Sequence, residues 1–402
     1  MSTTLITVTE ALERVLAAVA PLPAEDVAID DALGRVLAGE IRAASDVPPF
    51  ACSAMDGYAV LAGDAERTLV ISGESRAGAP APAPLRPGEA IRVSTGAAVP
   101  AGADAVIPQE NVRRHGDRSI VTEAAVAAGE NVRRPGEDMR AATVVLNAGR
   151  RLGAVELGAA VAAGAGAVAV ARRPRVAVLC TGDELRAPGE PLGPGEIHNS
   201  NAPMLVGLAA RAGAATAPAT RLPDDRAATE AGIARALQGA DVVLITGGVS
   251  VGPHDHVKPA LAALGVREAF WSVALQPGKP TWFGALGQSP LVFGLPGNPV
   301  SAVVTFSLFV APALAALQGA AAPRPPCREA VLGHDVARNP RREQAVRVRL
   351  EHGPRGAVAH VNGAQGSHIL SSLLGADALA MIPAGDGRLG AGTTVALAAL
   401  AD

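Results

Sequence analysis

The chain has 402 residues, which is too long for a single hydrophobic core and predicts two to four domains. Its composition, 49% hydrophobic and 18% charged with 45 glycines and 32 prolines, is that of a well-buried globular protein with many turns. The formal net charge of -3 gives no basic field for a nucleic-acid partner, and three widely spaced cysteines indicate neither a disulfide framework nor a zinc site.

Nothing in the sequence predicts a leader or a membrane span. The N-terminus lacks a basic stretch followed by an apolar one, and we expect no stretch to be long and apolar enough to cross a bilayer. Residues 153–171 come closest, but they carry Glu156 and several glycines, so we interpret them as a helix followed by a strand. We therefore expect a cytoplasmic protein without a membrane partner.

The first part of the chain predicts two helical portions around a β-rich insertion. Residues 7–16 predict an amphipathic helix that Thr7 or Thr9 caps. Residues 64–140 predict short strands separated by turns, and helical spacing returns at 146–164.

Polar side chains collect at two places near this insertion. Asp56-Gly57 is a strong turn signal before a strand, so a hairpin corner is the simplest interpretation of Asp56. Residues 94–107 gather hydroxyls and glycines in a way that suits an anion. The arginines and acids of 129–138 are explained equally well as solvated loop charges.

From residue 173, strands and helices alternate, which predicts a parallel sheet with helices on both faces. Three predicted strands end in turn-forming motifs: Thr181-Gly-Asp-Glu, Thr246-Gly-Gly-Val-Ser and Gly294-Leu-Pro-Gly-Asn-Pro. Because ligands of such sheets bind beyond the carboxyl ends of the strands, we expect all three motifs to face one crevice.

The chemistry of these motifs favours a phosphorylated ligand. Thr246-Gly-Gly is explained either as a generic Gly-rich connection or as a turn whose N–H groups hold a phosphate. Additional donors are provided by Thr181, Thr246, Ser250, Asn298 and Ser301. Mg²⁺ ligands would come from Asp183, Glu184 and Asp255, and a cation from Lys279. The absence of a Walker lysine motif and of G-x-G-x-x-G counts against a P-loop ATPase and a Rossmann dehydrogenase.

The C-terminal residues 324–402 predict a small β domain, because a proline-rich start is followed by alternating segments. Residues 345–350 predict a half-buried strand. Cys180 ends a buried strand and is expected to be a core thiol rather than a nucleophile.

Taken in order, the motifs resemble the MoeA and gephyrin E-domain family, the molybdopterin molybdenumtransferases. They are Ser53-Ala-Met-Asp-Gly-Tyr-Ala-Val, Thr181-Gly-Asp-Glu-Leu, Thr246-Gly-Gly-Val-Ser-Val-Gly, Pro277-Gly-Lys-Pro, Gly294-Leu-Pro-Gly-Asn-Pro-Val-Ser and Asn362-Gly-Ala-Gln-Gly-Ser-His. The motifs of residues 176–301 are shared with the related molybdopterin adenylyltransferases. The segment around Asp56, Lys279 and the C-terminal domain favour the molybdenumtransferases.

The resemblance implies an α/β multidomain fold. A central three-layer α/β/α molybdopterin-binding domain would span 172–322, and an inserted β-rich domain 45–140. Residues 1–44 and 141–171 would form an elongated helical N-terminal domain that dimerises, and 323–402 a small C-terminal β domain.

The resemblance also implies a reaction. With Mg²⁺ as cofactor, molybdate is inserted into adenylylated molybdopterin, and AMP leaves as molybdenum cofactor forms. The implied catalytic residues are Asp56, Asp224, Asp255 and Lys279, with Glu184 and Asp255 as Mg²⁺ ligands. The implied substrate-binding residues are Thr95, Asp138, Thr181, Asp183, Gly247, Gly248, Ser250, Pro280, Pro296, Gly297, Asn298, Ser301, Arg347 and Ser367.

The implied partners begin with a second copy of the chain, since Asp56, Thr95 and Asp138 would reach the cleft across a homodimer interface. A molybdopterin adenylyltransferase and molybdoenzyme-specific acceptors are further partners that the resemblance suggests. Some relatives carry lysines where this chain has Ser272 and Gln276, which makes the oxyanion site here less cationic. A binding or scaffold protein that keeps this fold without catalysis is the alternative function.

Overall fold

The computed structural model describes residues 5–249, 255–324, 328–354 and 356–401 of the protein. Their buried apolar side chains form several separate cores, two of which lie on opposite faces of a central sheet. The chain is therefore organised as several packed units, although the exact domain bounds stay a prediction.

The central sheet has seven strands. The predicted strands Arg175–Thr181, Val242–Thr246 and Leu291–Leu295 are parallel to one another as expected, but the sheet as a whole is mixed. In spatial order the strands are Ala215–Thr216 with Thr220–Leu222, then Arg175–Thr181, Val242–Thr246, Leu291–Leu295, Trp282–Ala285 and Arg267–Trp271. The strand Trp282–Ala285 runs antiparallel to both of its neighbours. It is joined to Leu291–Leu295 through a short connection in which Gly287 has a φ of 64°.

Helices cover both faces of this sheet. In the strand Val242–Thr246, Val242 and Leu244 belong to one core, whereas Val243 and Ile245 belong to the other, because successive strand residues face opposite sides. The first core is covered by the helices Val8–Ala17, Asn201–Arg211, Pro299–Thr305 and Ala311–Leu317, and the second by Arg226–Gly239 and Val257–Ala263.

The helix Val8–Ala17 begins as predicted, since the Thr7 side chain accepts a hydrogen bond from the Glu10 N–H at 3.1 Å. Its buried residues Val8, Ala11 and Val15 pack into the first core of the central sheet. This helix therefore contacts the α/β unit directly.

One helical run in the described residues, Pro299–Leu317, is long and apolar enough by composition to cross a bilayer, with a mean hydropathy of 2.2. The expectation that no stretch has this property was wrong. However, 78% of its apolar window is buried inside the protein. The run includes a π-helical turn, Phe306–Val310, where the Ser307 hydroxyl donates back to the Val303 carbonyl at 2.9 Å.

The N-terminal unit is less helical than expected. Between residues 18 and 45 and between 141 and 171, the described chain forms one α-helix, Ala154–Ala162. Four short strands pair antiparallel there: Ala24–Ala28 with Ala167–Ala171, and Ile41–Arg42 with Val144–Leu146. The residues 153–171 are thus a helix and a strand, as the sequence predicted.

The inserted segment forms a six-stranded sheet. Its spatial order is Ala105–Pro108, Gly57–Val60, Glu89–Val93, Thr68–Ser75, Ser119–Thr122 and Val112–His115. Thr68–Ser75 and Glu89–Val93 are parallel and the other pairs are antiparallel. A separate pair joins Cys52–Ser53 to Val132–Arg133.

The C-terminal strands close into a small barrel, because Glu343–Gly353 pairs with strands at both ends of the sheet. The closed order is Glu343–Gly353, Gly356–Val361, Arg328–Leu332, Thr394–Ala399 and Ala378–Ile382, with Leu275–Gln276 added at the outside. The remaining elements are the strand pairs Leu185–Arg186 with Ile197–His198 and Val336–Ala337 with Arg388–Leu389, and the 3₁₀ turns Ile29–Asp31, Gln109–Asn111 and Leu370–Leu373.

Candidate active site at the carboxyl ends of the central strands

A cavity of about 450 Å³ lies beyond the carboxyl ends of Arg175–Thr181, Val242–Thr246 and Leu291–Leu295. The three strand-end motifs all contribute to its wall, so their predicted convergence is confirmed. The predicted residues that line it are Thr181, Glu184, Gly247, Gly248, Pro280, Pro296, Gly297 and Asn298. We name this space the strand-end cavity.

The glycines after Val242–Thr246 are required by the backbone of the turn. Gly247 and Gly248 have φ values of 88° and 63°, a region that side chains rarely adopt. A Cβ at Gly247 would also lie 2.7 Å from the Thr181 hydroxyl and 2.8 Å from its carbonyl oxygen. The two neighbouring strand ends therefore approach each other only because residue 247 has no side chain.

We expect Gly247→Ala to lower the free energy of unfolding by about 2 kcal/mol, from backbone strain and overlap together, and to weaken ligand binding in the strand-end cavity. The matched control is Gly189→Ala, whose φ of 83° is similar but whose Cβ would meet no atom within 4 Å. Urea unfolding and substrate titration compare the two variants. Equal effects from both would contradict a specific approach of Thr181.

Asn201 also lines the cavity and was not predicted from the sequence. Its side chain is 8% exposed, and its Nδ2 donates to the Thr246 hydroxyl at 3.0 Å and to the Gly297 carbonyl at 2.7 Å. Asn201 begins the helix Asn201–Arg211 and so ties two strand-end turns to a third element. The signal that could have found it is the polar run 198–201 directly before an apolar helix.

We expect Asn201→Asp to raise KM at least tenfold. A carboxylate oxygen would replace the Nδ2 donor and face the Gly297 carbonyl oxygen with no proton between the two oxygens, so the contact would become repulsive. The associated loss of unfolding free energy is about 2 kcal/mol. Asn111→Asp, an exposed change of the same chemistry in the inserted segment, is the control. An unchanged KM for Asn201→Asp would show that the two turns hold their positions without this side chain.

The acidic residues after Thr181 form one rim of the cavity. Asp183 and Asp224 are joined reciprocally, since each backbone N–H donates to the carboxylate of the other at 3.3 Å. The Glu184 carboxylate lies over Gly182, where a Cβ would overlap with it. Glu184 lines the strand-end cavity, whereas Asp183 and Asp224 do not.

Glu184 and Asp255 are the carboxylates predicted to hold a Mg²⁺ ion, which retains waters and uses one or two carboxylates together with substrate phosphates. Glu184 is on the cavity wall, whereas Asp255, half-buried directly before the helix Val257–Ala263, is not among the residues that line the cavity. In the described part of the chain, no three His, Cys, Asp or Glu side chains form a metal-ligand group. A Mg²⁺ ion that takes its remaining ligands from the substrate and water therefore suits these carboxylates better than an ion enclosed by protein ligands alone.

The C-terminal unit reaches the cavity through Ser367. The Asn298 side chain donates to the Ser367 hydroxyl at 2.9 Å, and the Val300 N–H donates to the Ser367 carbonyl at 3.2 Å. Asn298 lines the cavity and precedes the helical run that starts at Pro299. Ser367 thus lies beside the cavity, in contact with its wall.

Arg347 is buried, with 1% of its surface exposed, within the strand that the alternating pattern predicted. The loop after Gly356–Val361 packs over its guanidinium group. One guanidinium nitrogen donates to the carbonyls of Ala364 at 3.2 Å and Gly366 at 3.3 Å. Burial lowers the pKa of Arg347 to about 10. Arg347 therefore holds the loop that carries Ser367.

The other predicted residues are placed near the cavity or outside the described chain. Lys279 is exposed and directly precedes the lining residue Pro280, while its carbonyl accepts from the Val273 N–H at 2.9 Å. Ser301 is 3% exposed in the first turn of the helix that follows Asn298. Ser250 lies outside the described residues.

The predicted residues Asp56, Thr95 and Asp138 are not brought to the strand-end cavity within one chain. The Asp56 carboxylate accepts from the Thr95 backbone N–H at 2.6 Å and from the Thr95 hydroxyl at 3.0 Å. These hydrogen bonds lower the pKa of Asp56. Asp138 lines a separate cavity with Cys52 and Arg133.

Ser272 and Gln276, which the family resemblance marked as the less cationic positions, are engaged in the fold. The Gln276 side-chain oxygen accepts from the Asn339 amide at 2.6 Å, and Ser272 is buried with a φ of 75°. Cys180 is fully buried, and burial raises its thiol pKa, so its prediction as a core thiol is confirmed. Cys327 lies outside the described residues.

The fold defines a multidomain α/β protein with a cavity at the carboxyl ends of its central strands. Three family models match the chain: the MoeA N-terminal region (domain I and II) over residues 6–164, a probable molybdopterin binding domain over 177–316, and the MoeA C-terminal region (domain IV) over 329–400. Together they cover nearly all of it.

Relatives match over the same length. A molybdopterin molybdenumtransferase 2 of Mycobacterium tuberculosis is 37% identical over 91% of this chain and 93% of its own. A molybdopterin molybdenumtransferase of Haemophilus influenzae is 36% identical over 94% of both chains. The crystal structure of a molybdopterin biosynthesis MoeA protein from Pyrococcus horikoshii superposes with a TM-score of 0.84 at 33% identity, over 98% of this chain and 100% of that one. The chain belongs to the molybdopterin molybdenumtransferase (MoeA) family, and its family resemblance is confirmed.

Proposed function

We propose that this protein inserts molybdate into adenylylated molybdopterin, releasing AMP and yielding molybdenum cofactor, with Mg²⁺ bound by Glu184 and Asp255. The observation that carries the proposal is the composition of the strand-end cavity. Its walls are three turns that offer backbone N–H groups and hydroxyls, and its described lining residues include one formal charge, that of Glu184.

That charge makes a cation necessary for a phosphate ligand. A pyrophosphate brought beside Glu184 without a counter-ion would be repelled, since the described lining residues include no lysine or arginine. Mg²⁺ is the ion suited to one or two carboxylates together with phosphate oxygens and water. When bound, it would neutralise the charge that develops on the phosphate oxygens as AMP leaves.

The residues of the chain have distinct roles in this proposal. Thr181, Gly247 and Gly248 hold the phosphates through hydroxyl and N–H groups, and the N-terminus of the helical run from Pro299 adds its amides. Asp224, joined to Asp183, acts at the pyrophosphate from the rim. In this proposal the reacting phosphate lies next to Glu184.

Molybdate would bind on the side of the cavity that the C-terminal unit approaches. Lys279 is the exposed cation there, next to Pro280, and Ser301 and Ser367 supply hydroxyls. Arg347 supports the Ser367 loop from beneath, through its hydrogen bonds to the Ala364 and Gly366 carbonyls. The engaged Gln276 adds no charge, so molybdate affinity rests on Lys279 directly and on Arg347 through the Ser367 loop that it holds.

We further propose that a second copy of the chain completes the site. Asp56, Thr95 and Asp138 lie outside the strand-end cavity of their own chain, and Asp56 is exposed and held ionised by Thr95. An exposed, preorganised carboxylate is suited to a cleft between two protomers. The cytoplasmic location and the suggested adenylyltransferase and molybdoenzyme partners stay predictions.

The experiment that tests the function uses the purified full chain with adenylylated molybdopterin, Mg²⁺ and molybdate, and follows AMP by chromatography. We expect AMP release that requires both protein and Mg²⁺. Release no faster than in the protein-free control would exclude the transferase and leave the scaffold alternative.

A further inference from the structure

A second cavity, of about 540 Å³, lies where the N-terminal unit, the central α/β unit and the last described residues meet. It shares no lining residue with the strand-end cavity. Its apolar wall is formed by Leu33, Leu208, Ala311, Pro312, Ala315 and Pro323. We name it the arginine cavity, for the residues that carry its charge.

All formal charge on the described lining residues is positive. The three charged side chains are Arg151, Arg173 and Arg211, and no aspartate or glutamate is among the described residues of the wall. None of the three forms an ion pair with a described acidic residue, whereas arginines elsewhere in the chain commonly do. Three guanidinium groups thus share one space in which the described residues provide no counter-ion.

Arg151 shows that these charges influence one another. One of its guanidinium nitrogens donates to the Gly34 carbonyl at 2.6 Å, which fixes the side chain at the edge of the cavity. Burial and, after it, the positive charge of Arg173 lower the pKa of Arg151. A bound anion would relieve that repulsion, and guanidinium groups suit phosphate and carboxylate oxygens because their donors form a planar fork.

We propose that the arginine cavity is a second ligand site, which binds an organic phosphate or carboxylate through Arg151, Arg173 and Arg211 and its apolar body against the alanine and proline wall. The site is independent of the transferase reaction. The ligand class follows from the combination of three arginines, none of them in an ion pair with a described residue, and an apolar wall. An inorganic ion would contact the arginines but would leave the apolar wall unused.

The test is isothermal titration of the full-length protein with phenyl phosphate, inorganic phosphate and phenol. We expect phenyl phosphate to bind at least tenfold more tightly than either of the other two. Arg173→Gln and Arg211→Gln should each weaken phenyl phosphate at least tenfold, while Arg118→Gln, an exposed arginine of the inserted segment, should change it less than twofold. Equal affinity in the wild type and in both cavity variants would overturn the proposal.

Two further variants establish where the probe binds and what competes with it. Asn298→Ala, in the strand-end cavity, should leave phenyl phosphate affinity unchanged. If this variant instead loses as much affinity as Arg173→Gln and Arg211→Gln, the probe binds in the strand-end cavity, and the proposal is overturned. Asp402→Asn addresses the residue next to Ala401, which lines the arginine cavity. A tenfold gain of affinity in that variant would show that the chain's own carboxylate fills the cavity, and would also overturn the proposal.

The oligomeric state distinguishes a ligand from a second protomer as the occupant. Light scattering of Arg173→Gln and Arg211→Gln should give the wild-type mass at each concentration, and AMP release by both variants should match the wild type. A change of mass without a change of phenyl phosphate affinity would show that another copy closes the cavity, which contradicts a ligand site.

Discussion

Glu184→Gln and Asp255→Asn are each expected to reduce the rate of AMP release about a hundredfold while leaving the fold intact. Both changes keep the shape of the side chain and remove its negative charge. Glu184 lies on the cavity wall and Asp255 is half-buried at the start of its helix, so the amides are accommodated without a new cavity. The loss would come from weaker Mg²⁺ binding next to the substrate phosphates.

Magnesium titration distinguishes this cause from general damage. In the two variants, half-maximal activity should require at least tenfold more Mg²⁺ than in the wild type, and high Mg²⁺ should restore part of the rate. Asp386→Asn, an exposed carboxylate of the C-terminal unit, removes the same charge and should change neither value. A wild-type Mg²⁺ requirement in both variants would remove the proposed metal role.

The sequence predicted the strand-end cavity because its parts follow a local rule. Thr181, Thr246 and Gly294 each mark the end of a buried strand, and the carboxyl ends of parallel strands meet at one edge of a sheet. Applying this rule requires only the order and direction of the strands. It therefore predicted the turns on the wall of the strand-end cavity, including Gly247 and Asn298.

The same rule could not find Asn201 or the burial of Arg347, because both depend on elements distant in sequence. Asn201 matters through Thr246 and Gly297, which lie 45 and 96 residues away. Arg347 is buried by a loop, and the alternation of polar and apolar residues in its own strand carries no information about that loop. Tertiary packing overrode the local pattern in both cases.

The antiparallel strand Trp282–Ala285 was not predicted from the sequence. A short apolar strand carries no information about its direction, and only the connection to Leu291–Leu295 sets it. That connection is too short for a crossover helix, so an antiparallel pair was required. The connection length, rather than the strand composition, was the informative signal.

A large effect on stability is expected at Asp241, which is 5% exposed and whose carboxylate joins the starts of two central strands. It accepts from Arg172 at 2.8 Å and 3.0 Å, from the Arg175 backbone N–H at 2.7 Å, and from the Arg175 guanidinium at 3.5 Å. Asp241→Asn should lower the free energy of unfolding by about 2 kcal/mol at pH 7, below the range for fully buried pairs because Arg172 is partly exposed.

The pH dependence identifies the charge as the cause. Burial disfavours the ionised carboxyl, but hydrogen bonds from Arg172 and Arg175 outweigh it and lower the pKa of Asp241 from 3.8 to about 2. Since the unfolded chain then binds the proton more tightly, this contribution is complete above pH 3.8 and is lost as the pH falls through about 2. The difference in unfolding free energy between wild type and Asp241→Asn should therefore shrink over that interval.

Urea unfolding at about pH 7, 4 and 3, which spans the upper part of that interval, measures this difference, with Asp117→Asn as the control. Asp117 pairs with Arg114 at 2.5 Å but its side chain is 95% exposed, so its removal should cost less than about 0.5 kcal/mol. A constant difference for Asp241→Asn across these pH values would assign its effect to lost packing. A shrinking difference would mean that an ionised carboxylate joins the amino ends of the strands whose far ends form the strand-end cavity, so that one buried charge supports their alignment.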